Sequence, residues 1–129
     1  MNRTLLLCGF GLWFAGTVIL RFAGQYLLHP GSVVSTVVLF VLSFLAMAWL
    51  ARRLCLRLGL TPEHWPAGAV SLALPTLVLD PFSAAFFAVV FPNMAPAAAG
   101  LFGGWMLSCC AGALAGATIR AASRAAIPR

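Results

Sequence analysis

Two charged side chains lie inside the apolar runs of this 129-residue chain, Arg21 and Asp80. Asp80 is one of only two acidic residues and sits in LALPTLVLDPFSAAFFAVVF, directly before Pro81. A charge at the centre of a bilayer costs about 2.5–3.5 kcal/mol on insertion scales, so such residues collect where a partner or a wet cavity receives them. A carboxylate there can exchange a proton or hold a cation. A guanidinium can hold an anion, or the carboxylate itself, whose two oxygens match its planar fork.

Other polar residues gather near both. Thr17, Arg21, Gln25 and His29 recur every four residues, a stripe that drifts about 40° per step around a helix. Thr76, Asp80 and Ser83 share a helix face by i+4 and i+3 spacing. At 1.5 Å per residue Arg21 stands about 25 Å above Thr4, and Asp80 about 21 Å above Pro66. The two heights predict an Arg21–Asp80 contact in the outer half of the membrane. Thr17, Arg21, Gln25, Thr76, Asp80 and Ser83 therefore form the candidate intramembrane polar site. Pro81 lacks an N–H and frees the Leu77 carbonyl one turn earlier, which Arg21 or a water could satisfy. Such a site reads either as a structural lock between two helices or as a substrate or proton site with Asp80 as its titrating group.

The elements that must position these groups are membrane helices. Hydrophobic residues make up 63% of the chain and charged residues 8%, with a mean hydropathy of +1.04. A soluble domain needs far more polar surface. The apolar residues fall into four runs, each near the roughly 20 residues that a spanning helix requires. The chain is read as one all-α transmembrane domain, residues 1–129, with spans at about 4–28, 33–51, 66–91 and 97–119. HPGS (29–32) and PNMAP (92–96) are tight turns, since Pro and Gly both break helices. RRLCLRLGLTPEH (52–64) is the longest polar link; its first part could also lie as a short helix on the leaflet, with Thr61 capping the next helix. The N-terminal run has a basic start like a signal peptide, but its apolar character continues past Gly16 to Leu28, so it reads as an uncleaved span.

Charge sets the topology. Arg3, Arg52, Arg53, Arg57, Arg120, Arg124 and Arg129 all fall on one side of a four-span chain, and the two tight turns hold no Lys or Arg. The positive-inside rule then places both termini in the cytoplasm, in the inner membrane of a bacterium. Trp49 and Trp65 read as anchors at the cytoplasmic interface and Tyr26 at the outer one, while Trp13 and Trp105 fit no belt and read as packing residues.

The net charge of +6 is explained by lipid orientation, and no nucleic-acid partner is expected, because no soluble basic surface exists to carry phosphate contacts. The four cysteines form no CxxC pair, and the two histidines lie on opposite sides of the membrane. No metal, cofactor or catalytic residue is expected. No Ser-His-Asp set, HExxH motif or phosphate loop occurs either, so an enzyme is not expected.

Span four carries Gly100, Gly104, Ser108, Gly112 and Gly116 at every fourth position. Such a ladder lets another helix approach closely. It suits packing on span one, which also carries Gly9, Gly16 and Gly24, or a seam for a homodimer or a larger membrane partner.

Four segments, GFGLWFAGTVILRFAGQYLLHPGS, VLDPFS, VFPN and GLFGGW, together resemble a group of small bacterial integral membrane proteins classified as a domain of unknown function. The resemblance spans nearly the whole chain and implies that Arg21, Gln25 and Asp80 belong to one shared core. It brings no activity. Two functions are left in view. One is a non-enzymatic accessory or interaction component; the other is a small transporter or proton-coupled carrier using Arg21 and Asp80.

Overall fold

The computed structural model describes residues 2–125, with side chains to residue 119. The described residues form α1 (Arg3–Leu27), α2 (Val33–Arg57), α3 (Trp65–Ala85), α4 (Phe87–Val90) and α5 (Ala99–Ala125), with 3-10 turns at Pro62–His64 and Pro96–Ala98. Four segments are long and apolar enough to cross a membrane. The fold is all-α, as the hydropathy pattern predicts. The side chains of Arg120 and Arg124, and all of Arg129, lie outside the described residues.

The helix ends follow local chemistry. Asn2 caps α1 by accepting the Leu5 N–H at 3.0 Å. His29-Pro30 ends that helix, and Gly31 takes φ +91° in the turn, a value that suits glycine. Ser32 caps α2. α2 continues to Arg57, past the end expected at Ala51. Ala51 and Cys55, four residues apart, are both buried, so the core-facing side of the helix extends into the arginine-rich link. Gly59, at φ +67°, then reverses the chain, and the Leu60 N–H reaches back to the Cys55 carbonyl at 3.1 Å.

Span three is not one continuous helix to Phe91. α3 passes through Pro75 and Pro81 and stops at Ala85, and Phe86 breaks the helical path (φ −107°, ψ 35°). The break turns Phe87 and Phe91 inward, where they pack with Phe102 at ring-centroid distances of 5.0–5.8 Å. Burying three aromatic rings at such separations compensates for the interrupted ladder.

The helices pack in the order α1, α3, α5, α2; consecutive helices α1 and α2 barely touch. Both outer pairs run parallel. Trp13 meets Asp80 and Arg21 meets Val90 on one side; Phe40 meets Ser108 and Ala48 meets Gly116 on the other. The core divides in two. One end is built from Leu20, Leu28, Phe87, Phe91, Met94 and Phe102. The other is built from Leu5, Ala51, Leu72 and Ala113 together with Cys55, Trp65, Ala69 and Ala117. Trp65 is thus buried and donates to the Leu60 carbonyl at 2.9 Å, instead of facing lipid as an interfacial anchor. Trp49 does stay exposed, with Arg53 over its ring at 5.2 Å.

Candidate functional site

Between the two packed ends lies a looser layer, and Asp80 is in it. Gly9 lets α1 approach this level, since a Cβ there would collide with the Leu72 carbonyl and come within 3.2 Å of the Pro75 ring. That close approach brings Trp13 against α3. The Trp13 Nε1–H donates to Asp80 Oδ1 at 2.9 Å. Asp80 is 9% exposed, and its other oxygen, Oδ2, is buried without a hydrogen-bond partner. An unsatisfied buried acceptor costs about 1–3 kcal/mol, so this oxygen is the point at which the site is unfinished.

Two cavities flank that level. One, of about 200 Å³, lies between α3 and α5 and is lined by Thr76, Leu77, Asp80, Pro81, Ala84, Gly103, Met106, Leu107 and Cys110. The other, of about 160 Å³, lies on the α1 and α2 side and includes Trp13, Thr17, Thr76, Trp105, Met106 and Cys110 in its wall. Thr76, Met106 and Cys110 line both. The α3–α5 seam is therefore hollow on each face at the level of Asp80. No charged residue other than Asp80 lines either cavity among the described residues.

The structure does not make the Arg21–Asp80 contact. Arg21 Nη1 donates instead to the Val90 carbonyl at 2.9 Å. The reason is register. Heights measured from Thr4 and Pro66 assume that these two residues are level, an offset of 62. The observed offset is 67 for Trp13 and Asp80 and 69 for Asn2 and Ser71. The slip of five to seven residues amounts to about 8–10 Å. It puts Asp80 halfway along α1, and Arg21 eight residues beyond Trp13, about 12 Å further on.

The polar stripe of α1 has a different task from the one expected. Asn93 Nδ2 donates to the Leu20 carbonyl at 2.9 Å and to Gln25 Oε1. Together with Arg21, these bonds fasten α1 to the segment after the α3 break. Gly24 receives Met94, whose sulfur would stand 2.5 Å from a Cβ at that position. Arg21 and Gln25 thus leave the Asp80 site, against the shared core implied by the resemblance. Thr17 donates to the Trp13 carbonyl at 2.8 Å and lines the α1-side cavity. Thr76 lines both cavities, and Ser83 is buried on α3. Sequence reasoning missed Trp13 as a site residue. The available signal was its indole N–H, which needs an acceptor when buried, near the one carboxylate in any span.

The glycine ladder packs on α2 and not on α1. A Cβ at Gly112 would collide with the Phe44 carbonyl, and one at Gly116 would lie 2.5 Å from the Ala48 carbonyl. Ser108 donates to the Phe40 carbonyl at 2.9 Å, Trp105 to Ser43 at 2.6 Å, and Arg52 to the Gly116 carbonyl at 3.1 Å. Only the top of the ladder, Gly100, faces no atom within 4 Å.

Among the described residues no group of three His, Cys, Asp or Glu side chains could hold a metal ion. The model of a family described as a family of unknown function (DUF5367) matches residues 27–124, from the last residue of α1 into the last turn of α5. No curated protein and no solved structure matches.

Proposed function

The chain belongs to the DUF5367 family, and from the geometry of its own residues we propose that it is a small proton-linked carrier of the bacterial inner membrane. Asp80 is its exchanging group, and its role is non-enzymatic. Both termini lie in the cytoplasm; the distribution of seven arginines against none supports this orientation.

The observation that carries the proposal is Asp80 Oδ2. It is buried and unpaired, on a residue that lines a cavity halfway through the bundle. With Arg21 engaged elsewhere, no basic partner among the described residues neutralises the carboxyl group. The site stays neutral by holding a proton when empty and exchanging it when a ligand arrives. An intramembrane carboxyl group against a cavity is the arrangement that such exchange needs.

The accessory-component reading drew on the glycine ladder as a seam for a partner. α2 occupies that ladder from Gly104 to Gly116, so the ladder no longer favours it.

Liposomes loaded with a pH-sensitive dye test the proposal. The reconstituted protein is challenged with gradients of organic cations, anions and neutral solutes. Proton movement driven by one of these classes, and lost in Asp80→Asn, is the expected result. No solute-driven proton movement by folded protein in any class would overturn the carrier reading.

A further inference from the structure

We propose that the Asp80 cavity takes a small lipophilic amine in its ammonium form, about one substituted ring in size, entering from the lipid side between α3 and α5. The inference rests on the carrier reading and names the substrate class of the same site.

Charge selects the class. Asp80 is the one charged residue in the walls of the two cavities, among the described residues. The groups around it are the Trp13 indole from α1, Thr76 from its own helix, and Cys109 and Cys110 from α5, none of them basic. An anion finds no counter-charge here. A neutral ligand would leave the carboxyl proton in place and give no exchange. An ammonium ion that displaces the proton leaves the site neutral before and after: the carboxylic acid loses H⁺ to water, and the carboxylate pairs with the cation. Neither state buries a net charge, and so neither meets the cost of about 2.5–3.5 kcal/mol that an isolated ion carries at mid-membrane.

Size and lining select the rest of the molecule. An apolar cavity of about 150 Å³ accommodates benzene, and this one measures about 200 Å³. That leaves room for a ring and a one-carbon ammonium arm. Apart from Asp80, Thr76 and Cys110 the wall is aliphatic or thioether, with Met106 an adaptable contact for an apolar body. Access is lateral. Leu77, Pro81 and Leu107 border the cavity and are exposed on the outer surface of the bundle, where lipid chains lie. An amine dissolved in the bilayer can reach Asp80 without passing through either packed end. Once there, its N–H groups meet the Asp80 side chain, which lines the cavity and has one oxygen that Trp13 leaves unbonded.

The test is calorimetric titration of benzylammonium chloride into the full chain in lipid nanodiscs. Two buffers of different ionisation enthalpy count the protons released. Benzyl alcohol serves as the neutral analogue and phenylacetate as the anionic one. The expected result is saturable benzylammonium binding with about one proton released per ligand, as electroneutral exchange requires. Asp80→Asn should weaken it by about 30-fold or more, the low end of the effect of removing one partner of a buried ion pair. Leu107→Trp narrows the entrance from a position that is 63% exposed. It should weaken binding while leaving thermal stability unchanged. Benzyl alcohol binding as tightly as benzylammonium, or benzylammonium binding unaffected by Asp80→Asn, would overturn the inference. Absent benzylammonium binding, alongside Asp80-dependent proton movement driven by another solute class in liposomes, would overturn the amine and leave the carrier. Failure of both experiments would remove both.

Discussion

Replacing Asp80 by Asn should leave the folded protein as stable as the wild type, or more so by up to about 2 kcal/mol, the usual range when a polar group kept for function is relaxed. The change keeps an oxygen to accept the Trp13 N–H, now 2.9 Å away. It replaces Oδ2, which is buried and unpartnered, with an amide NH2 that finds no acceptor there either, so the unsatisfied group persists and any gain comes from removing a carboxyl group that can ionise. Leaving a buried acceptor unsatisfied costs about 1–3 kcal/mol, and more if it is charged. Trp13→Phe should act in the opposite direction, since it removes the one bond to Oδ1 and exposes the same penalty, about 1–3 kcal/mol. The assay is thermal unfolding in detergent of the two single variants, the double variant, Arg21→Gln, and Arg21→Gln combined with Asp80→Asn. Trp13 and Asp80 share a hydrogen bond, so their effects should couple by more than about 0.5 kcal/mol, while Arg21 and Asp80, about 12 Å apart along the helices, should be additive within about that amount. A marked loss of stability in Asp80→Asn that Arg21→Gln repairs would refute this reasoning and restore the ion-pair lock.

Two further outcomes follow from the packing and the topology. Gly112→Ala and Gly116→Ala should each destabilise by about 1–3 kcal/mol, because the added carbon meets α2 backbone and not a movable side chain. Gly100→Ala, with open space around it, should be neutral or stabilise by up to about 1 kcal/mol, and thermal unfolding compares the three. For topology, a membrane-impermeant maleimide applied to spheroplasts should label Pro30→Cys directly and Arg57→Cys only after permeabilisation, in a background with the four native cysteines replaced. The reverse labelling order would overturn the proposed orientation.

The four spans are legible because each is a long apolar run closed by Pro, Gly or Arg, and lipid leaves the backbone no alternative to helix. Boundaries were less so. Ala51 and Cys55 carry the α2 face beyond the arginines that mark its expected end. The α3 break falls at Phe86, not at either proline, because three aromatic rings repack there. For the site, Asp80 and Thr76 were found from residue type and spacing, and Thr17 reaches only the α1-side cavity. Arg21 and Gln25 were misplaced, since hydropathy gives each helix a length but not its height against a neighbour. That height depends on small contacts such as Gly9 against Leu72, and a slip of a few residues exchanges one partner for another. The indole N–H of Trp13 was a donor in need of an acceptor, and matching buried donors to buried acceptors would have joined it to Asp80.

The interleaved helix order has a consequence for biosynthesis. The hydrogen bonds that side chains make between helices, or to the turn after α4, connect residues 62 to 73 positions apart. At a translation rate of about 5–20 residues per second, α1 and α2 wait about 3–15 s before the segments that complete them leave the ribosome. Through that interval Arg21, Gln25 and Ser43 have none of their final partners from the second half. Because α1 and α2 barely touch each other, the first hairpin cannot shelter these groups by closing on itself. The nascent chain therefore depends on water or the insertion machinery to hold its polar side chains until first α3 and then α5 arrive.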